Sequence, residues 1–463
     1  MSLAGFKSIP LPLAQCSLPA VLKCGQSFRW SVLTPSDTSE SASASTSDIA
    51  KPDIKEPEAP RVEYRLCLKD RVVCLRQSPT AIYYRSVFPG TPSSNLIASE
   101  SDATRDAETL AWLRDYFQLD IDLVALYKQW AEKDKVFSKF QERFEGIRIL
   151  RQDPWENLVS FICSSNNNIS RITKMVQNLC TYYSPSLLTL EHPFIADEVL
   201  AYHPFPPPSA LAGSNAGQHL RTLGFGYRAD FIQRTAKMLV DDHGLTTPQA
   251  PANPMEASEI WLLELRKSST DDARAELLKF VGVGRKVADC VLLMSMDKKE
   301  VVPVDTHVYQ IAVKQYGMKG SASGKPSMTP KLYEDINAKF KGIWGDYAGW
   351  AHTVLFTADL KSFATYGLPA GASPSPSSSP SPRKRTVKSD KMAASAPALL
   401  QRTSSDSPLK RKVFEDPLDE NSLTEAKAEL STPELSKLVK DTEEHLSIVE
   451  RVKRRKRNDK SAS

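Results

Sequence analysis

Residues 281–310 read VGVGRKVADCVLLMSMDKKEVVPVDTHVYQ, and this stretch limits the fold more than any other. The segments on either side of Gly282-Val283-Gly284 repeat apolar residues at helical spacing, so the three residues must form a tight turn between two helices. Glycines there adopt backbone angles that other residues resist. They can turn main-chain amides outward at a helix start, which suits the gripping of a phosphate. Lys286 follows on a helix rich in valine and leucine, where an ammonium loses its proton cheaply, and Asp305 closes a Val-Pro-Val run. On the residues alone, Lys286 reads either as an amine nucleophile or as a phosphate contact. The Gly-Val-Gly turn reads either as a phosphate grip or as an ordinary helix connection. Grip, amine and carboxylate together point to covalent chemistry on nucleic acid.

The rest of the chain sets bounds on that reading. Its 463 residues suffice for two or three domains, and 41% hydrophobic content supports a buried core. A formal charge of +5 is small for this length, so a polyanion must be met by local patches rather than a global field. The seven cysteines are odd in number and form no CxxC pair. Neither a zinc ribbon nor a disulfide framework is supported, and a reducing compartment fits best. No apolar run approaches the ~18 residues that cross a membrane, and the N-terminus carries no secretory pattern.

Alternation of β-branched and aromatic residues predicts strands at 28–32, 64–68, 72–76 and 82–86. Between the first two, residues 34–60 are rich in Ser, Thr, Pro and Glu and read as a disordered insert. Helical spacing predicts helices at 107–117, 154–163, 169–180, 230–241, 257–267 and 271–281. After Tyr366 comes SPSPSSSPSPRKR, then long polar tracts and a basic cluster at 451–457. The expected fold class is α+β. A small antiparallel β-sheet N-terminal domain spans 1–100 and a larger all-helical body spans 101–365. The body's helix-hairpin-helix motif falls at about 271–297, and a disordered basic C-terminal tail occupies 366–463.

Longer strings narrow the function. They are CGQSFRW (24–30), RQDPWENLVSFICSSNNNISRI (151–172), LGFGYRA (223–229), GVGRKVADCVLLMSMDK (282–298), VPVDTHVY (302–309) and GDYAGWAHTVLFTADL (345–360). With them the chain resembles the helix-hairpin-helix–GPD superfamily of DNA base-excision glycosylases and, within it, the 8-oxoguanine DNA glycosylases. The resemblance covers residues 5–362 apart from the insert. It implies excision of 8-oxoguanine, preferentially opposite cytosine, from duplex DNA, and nicking of the abasic site by β-elimination through a lysine Schiff base. An iron–sulfur loop of the kind found in endonuclease III-like relatives cannot form, because Cys290 is the only cysteine past Cys180.

The resemblance also assigns residues. It places the catalytic amine on Lys286 and a carboxylate that stabilises the oxocarbenium-like sugar on Asp305, which sequence alone reads first as a helix N-cap. Gly25 offers its carbonyl to the N7–H that distinguishes 8-oxoguanine from guanine. Met294 and Phe356 sandwich the base, although spacing alone also fits plain core. Cys290, one turn from Lys286, is either core or a pocket wall that pairs with Lys286 as thiolate and ammonium. Asn166 fills the hole left by the flipped base, Arg171 and Arg228 read the opposite cytosine, and Tyr227 wedges into the stack. Gly282 and Gly284 meet the DNA backbone, and His307 fits a phosphate contact or a structural role. His352 stands where the family usually has glutamine, so recognition of the base edge is expected to depend on pH near neutrality.

No metal and no required cofactor are expected, apart from a structural cation at the hairpin held by backbone carbonyls. The expected partner is double-stranded DNA containing an oxidised purine, with no membrane association. The protein is expected to be monomeric and nuclear, with a mitochondrial share as the alternative, and the tail to bind import machinery or other proteins. The competing readings are a glycosylase for another oxidised or ring-opened purine, and a non-catalytic DNA-binding scaffold.

Overall fold

In a computed structural model of the protein, residues 3–35, 60–90, 100–244, 255–320 and 328–368 are described. Of the two segments expected to be disordered, 36–59 and 369–463 lie outside these residues.

The N-terminal part folds as expected into an antiparallel sheet. Its strands are β1 (Lys7–Pro10), β2 (Ser31–Leu33), β3 (Glu63–Cys67), β4 (Val72–Gln77) and β5 (Ala81–Val87), in the order β1-β5-β4-β3-β2. Four of them match sequence alternation within a few residues. The edge strand β1 was not anticipated, because KSIP is short, ends in proline and carries one buried residue, Ile9. A one-turn helix, α1 (Leu18–Val21), leads from β1 towards β2. One face of the sheet packs Trp30, Leu66, Val73, Leu75 and Tyr84 against Leu113 and Phe117 of α2 (Glu100–Tyr116) and the turn that follows it.

The helical body continues with α3 (Leu123–Lys133), α4 (Pro154–Cys163) and α5 (Ile169–Tyr183). Next come two short strands, β6 (Leu188–Glu191) and β7 (Val199–Tyr202), which pair antiparallel. Helices α6 (Pro208–Ala212), α7 (Ala216–Thr222), α8 (Arg228–His243) and α9 (Ala257–Glu264) follow. The body closes with α10 (Thr270–Leu277), α11 (Arg285–Ser295), α12 (Thr306–Tyr316), α13 (Pro330–Trp344) and α14 (Ala348–Asp359).

The β6–β7 hairpin was not legible, since its strands carry a single buried residue, Tyr202, among exposed and half-buried ones. It explains why β3 is buried on both faces. Tyr202 packs on Cys67, Val72 and Cys74, and Arg65 donates to the Glu191 carbonyl at 2.9 Å. Buried Glu63 in turn accepts from Arg65 and Arg76 at 2.6 and 2.8 Å, so these charges are paired where water is excluded.

One large core runs through the helices, with Trp130, Trp155 and Trp350 among its most deeply buried side chains. Helix α4 is buried along its whole length and crosses this core. Its start follows from sequence: the Asp153 carboxylate caps Glu156 N at 2.9 Å, and Pro154 occupies the first turn, where no N–H is needed. Helix α10 ends at Leu277, four residues before the expected 281, because the chain must already turn at 278–284. Gly282 is required there twice over. Its φ is +82°, and an added Cβ would lie 2.4 Å from the Phe231 ring on α8. The body's packing runs to residues 366–368: the Tyr366 hydroxyl lies 2.8 Å from Ser17 Oγ, its ring stacks on Phe144, and its carbonyl accepts from Arg143.

Candidate active site

Five separate pieces of chain meet at one small cavity, one of them α4 through Phe161. The turn after α1 brings Cys24, Gly25 and Gln26, and α11 brings Lys286, Cys290 and Met294. The start of α12 brings Asp305 and Val308, while α14 brings His352, Thr353 and Phe356. Every residue expected in the base pocket therefore faces one space with both expected catalytic groups. Its volume is about 50 Å³. At roughly 10–15 Å³ per water, it holds a few waters rather than a purine.

The elements hold these groups rigidly. Gln26 ties the first turn to 148–152: it donates to the Arg148 carbonyl at 3.0 Å, accepts from Leu150 N at 2.9 Å, and its carbonyl accepts from Gln152 at 2.7 Å. Gly25 has φ +88°, and a Cβ there would press to 2.8 Å from Ile169, so glycine is required by strain and by space. Helix α14 approaches the Lys299–Val301 turn so closely that a Cβ on Gly349 would lie 2.3 Å from the Val301 carbonyl.

Lys286 is half-buried, with Nζ 3.3 Å from Ser164 Oγ and 5.0 Å from the Phe161 ring centroid. Asp305 is the N-cap that sequence suggested: one carboxylate oxygen, Oδ1, accepts from His307 N at 2.9 Å and Val308 N at 3.0 Å. The cap leaves the carboxylate at the cavity wall, so the structural and functional roles coexist on one side chain.

Two electrostatic expectations need correction. Burial pushes the Cys290 thiol up to about 11, and nearby Lys286 only partly opposes this, so Cys290 is a thiol at neutral pH and not the thiolate partner of Lys286. Burial likewise lowers His352 to about 4 against the pull of the Asp305 carboxylate, so the imidazole is neutral throughout the working range. Contrary to the expectation from sequence, the protonation of His352 does not change near neutrality. Neither ring nitrogen of His352 has a hydrogen-bond partner among the described residues, although the residue is buried. The ring lines the cavity with the Gly349 main chain beside it.

Beside the cavity lies the expected strand-opening loop. Asn166 is exposed with φ +49°, Tyr227 is half exposed, and Arg171 is exposed with one contact, to the Gly224 carbonyl at 3.1 Å. Arg228 differs from its three neighbours. It is buried, and its guanidinium donates to the carbonyls of Ser165 and, at 3.0 Å, Asn166. It braces the loop from beneath instead of projecting from it. His307 is exposed at the start of α12 and pairs with Asp359 at 3.0 Å. Gly284 opens α11 with free space around its Cα. Among the described residues no three His, Cys, Asp or Glu side chains converge as a metal site.

Two family models together match residues 8–336. "8-oxoguanine DNA glycosylase, N-terminal domain" matches residues 8–158, and "HhH-GPD superfamily base excision DNA repair protein" matches 159–336. The N-glycosylase/DNA lyase of Saccharomyces cerevisiae is 34% identical over 370 residues, covering 77% of this chain and 86% of the relative. The chain belongs to the 8-oxoguanine DNA glycosylase family. Membership places it among the N-glycosylase/DNA lyases of base-excision repair. The N-glycosylase/DNA lyase OGG1 of Arabidopsis thaliana is also 34% identical, over 76% of this glycosylase and 80% of its own length. The DNA-free 8-oxoguanine glycosylase/lyase of Clostridium acetobutylicum shares the fold, with a TM-score of 0.53 at 22% identity over 77% of this chain and 99% of that one.

Sequence reading of the glycosylase passed over Ser164 and Phe161, which touch the Lys286 amine. Both lie within the string 151–172, but only the fold brings them to α11. The buried histidine leads to a test on stability. Unfolded histidine titrates near ~6.5, so between that value and 4 the unfolded chain gains a proton that folded His352 refuses. Stability is therefore unaffected by this group above pH ~6.5 and falls as pH drops towards 4, by roughly 3 kcal/mol once fully developed. Urea unfolding at pH 7 and pH 4.5 should show a smaller acid loss in His352→Gln than in the parent. Equal losses would mean that His352 is not held neutral.

Proposed function

We propose that this glycosylase excises 8-oxoguanine from duplex DNA, preferentially opposite cytosine, and nicks the product through a Schiff base on Lys286. The convergence of Lys286, Asp305, Gly25 and His352 on one cavity carries the reading. The target nucleotide leaves the stack and its base enters this cavity. Entry requires side chains to move aside, and Met294 and half-buried Phe356 are the adaptable ones. The Gly25 carbonyl accepts N7–H of the lesion, and His352 meets the Watson–Crick edge with its donor or acceptor. The Lys286 amine attacks C1′ as the glycosidic bond breaks, and the Asp305 carboxylate stabilises the positive sugar. Loss of a C2′ proton from the resulting imine then expels the 3′ phosphate.

On the opposite strand, Arg171 reads cytosine first, since it has one carbonyl contact to exchange. Arg228 joins only after releasing Ser165 and Asn166. Tyr227 and Asn166 occupy the gap, while His307 and the Gly282–Gly284 amides hold the backbone. A structural cation at the hairpin would rest on its carbonyls, one of which, on Val281, already accepts from Thr235 at 3.1 Å. The deciding experiment is single-turnover excision from duplexes carrying 8-oxoguanine opposite each of the four bases. The cytosine pair should be fastest by about tenfold or more, the scale of one good base contact. Faster excision of another oxidised or ring-opened purine would move the substrate assignment.

The enzyme acts as a monomer, and its tail serves import to the nucleus. This rests on the basic strings 383–385, 410–412 and 453–457 in a polar segment. Truncation after Leu368 should leave excision in vitro intact and reduce nuclear accumulation of a fluorescent fusion. Undiminished import would refute the targeting role, and a loss of DNA affinity at low salt would instead make the tail a tether.

A further inference from the structure

The two groups assigned to the chemistry sit on different segments, and nothing in the cavity itself joins those segments. Lys286 is on α11, whereas Asp305 ends the extended run Val301–Val304. Helix α13 lies behind both. The buried Tyr333 hydroxyl donates to Asp289 Oδ2 at 2.7 Å and accepts from Val304 N at 3.0 Å. Asp289 is one turn beyond Lys286 on α11, and Val304 is the residue before Asp305. One turn further along α13, Asn337 brackets the same run. Its Nδ2 donates to the Val302 carbonyl at 2.8 Å, and its Oδ1 accepts from Val302 N at 3.3 Å.

Asp289 is fully buried and makes a firm anchor. Its other contacts are Arg274 Nε at 2.8 Å, from α10, and Arg285 Nε at 3.2 Å. A charged acceptor held by two arginines cannot turn away without leaving a buried charge unpaired, so the phenol is fixed at both of its bonds. Burial and the Asp289 charge both raise the Tyr333 phenol, which stays protonated and able to donate.

We infer that Tyr333 is a positioning residue that sets Asp305 against Lys286, through one hydroxyl shared by Asp289 and the Val304 amide, with Asn337 as its second clamp. The inference rests on the proposed roles of Lys286 and Asp305. It gives α13, which contributes nothing to the cavity wall, a part in the reaction. Reacting groups displaced by a fraction of an ångström lose rate while substrate affinity, set by phosphates, is kept.

A double-mutant cycle tests this on the full chain. Tyr333→Phe keeps the ring and removes only the hydroxyl. Its single-turnover excision rate should fall about tenfold, with affinity for an abasic-site duplex within about twofold. In an Asp305→Asn background the same change should cost less than about twofold, because the carboxylate it positions is gone. A merely structural tyrosine would cost the same in both backgrounds, and that additive result would overturn the inference, as would a parental rate for Tyr333→Phe. If Tyr333→Phe does not fold, Asn337→Ala serves in the same cycle with the same expectations. A parental rate for Asp305→Asn alone would instead refute the role of Asp305 and take this inference with it. Adduct formation in the Tyr333→Phe protein, slowed but still on Lys286, separates failure of positioning from failure of the nucleophile assignment.

Discussion

Lys286→Ala should abolish both base excision and strand nicking, lowering the single-turnover rate by about three orders of magnitude or more, the scale on which enzymes lose their nucleophile. Among the described residues Lys286 is the only lysine lining the cavity. Affinity for duplex DNA should remain within about threefold, because phosphate contacts supply most of it and only one of many cations is lost. Folding should be nearly unaffected, since the side chain is half-buried and its contacts are the Ser164 hydroxyl, the Cys290 thiol and one ring face. Excision kinetics and anisotropy titration on the same preparation check both halves. Weakened binding with residual chemistry would return Lys286 to the role of a phosphate contact.

Asp305→Asn should show the second-largest effect, a loss of about a hundredfold in excision. A neutral amide cannot stabilise a developing sugar cation as a carboxylate does, so the loss should fall on turnover and spare binding. Stability should change by less than ~0.5 kcal/mol, because asparagine caps a helix about as well as aspartate. The cap bonds to His307 N and Val308 N need only an acceptor oxygen, which the amide retains. Thermal unfolding measured beside the rate separates the roles. A parental rate with lowered stability would leave Asp305 a cap and nothing more.

Much of this enzyme was legible before its structure. Helix α4 carries its own boundary signals, with Asp153 capping and Pro154 in the first turn, and its predicted ends match the structure. The strands β3, β4 and β5 followed from alternation because one face meets a core. The second burial of β3 and β4, under β6–β7, was invisible, since those short strands bury almost nothing of their own. Helix α3 was overlooked although Asp122 caps it, because its buried face is only Leu123, Tyr127 and Trp130 among charged neighbours. The cavity residues were legible through long family strings, which encode chemistry directly. Their electrostatics were not, as burial of His352 and Cys290 depends on what α11, α14 and the 24–26 turn do to one another. Arg228 and Tyr333 were beyond reach for the same reason: the partners that define them are 62–63 and 29–44 residues away.

The central claim is that one amine, on Lys286, forms a covalent bond to the sugar as the oxidised base leaves. Incubation with an 8-oxoguanine:cytosine duplex under borohydride, followed by proteolysis and mass spectrometry of the adduct, tests it most directly. One reduced sugar adduct is expected, on the peptide containing Lys286, formed at the rate of base release. An adduct on another residue, or base release with no adduct at all, would contradict it.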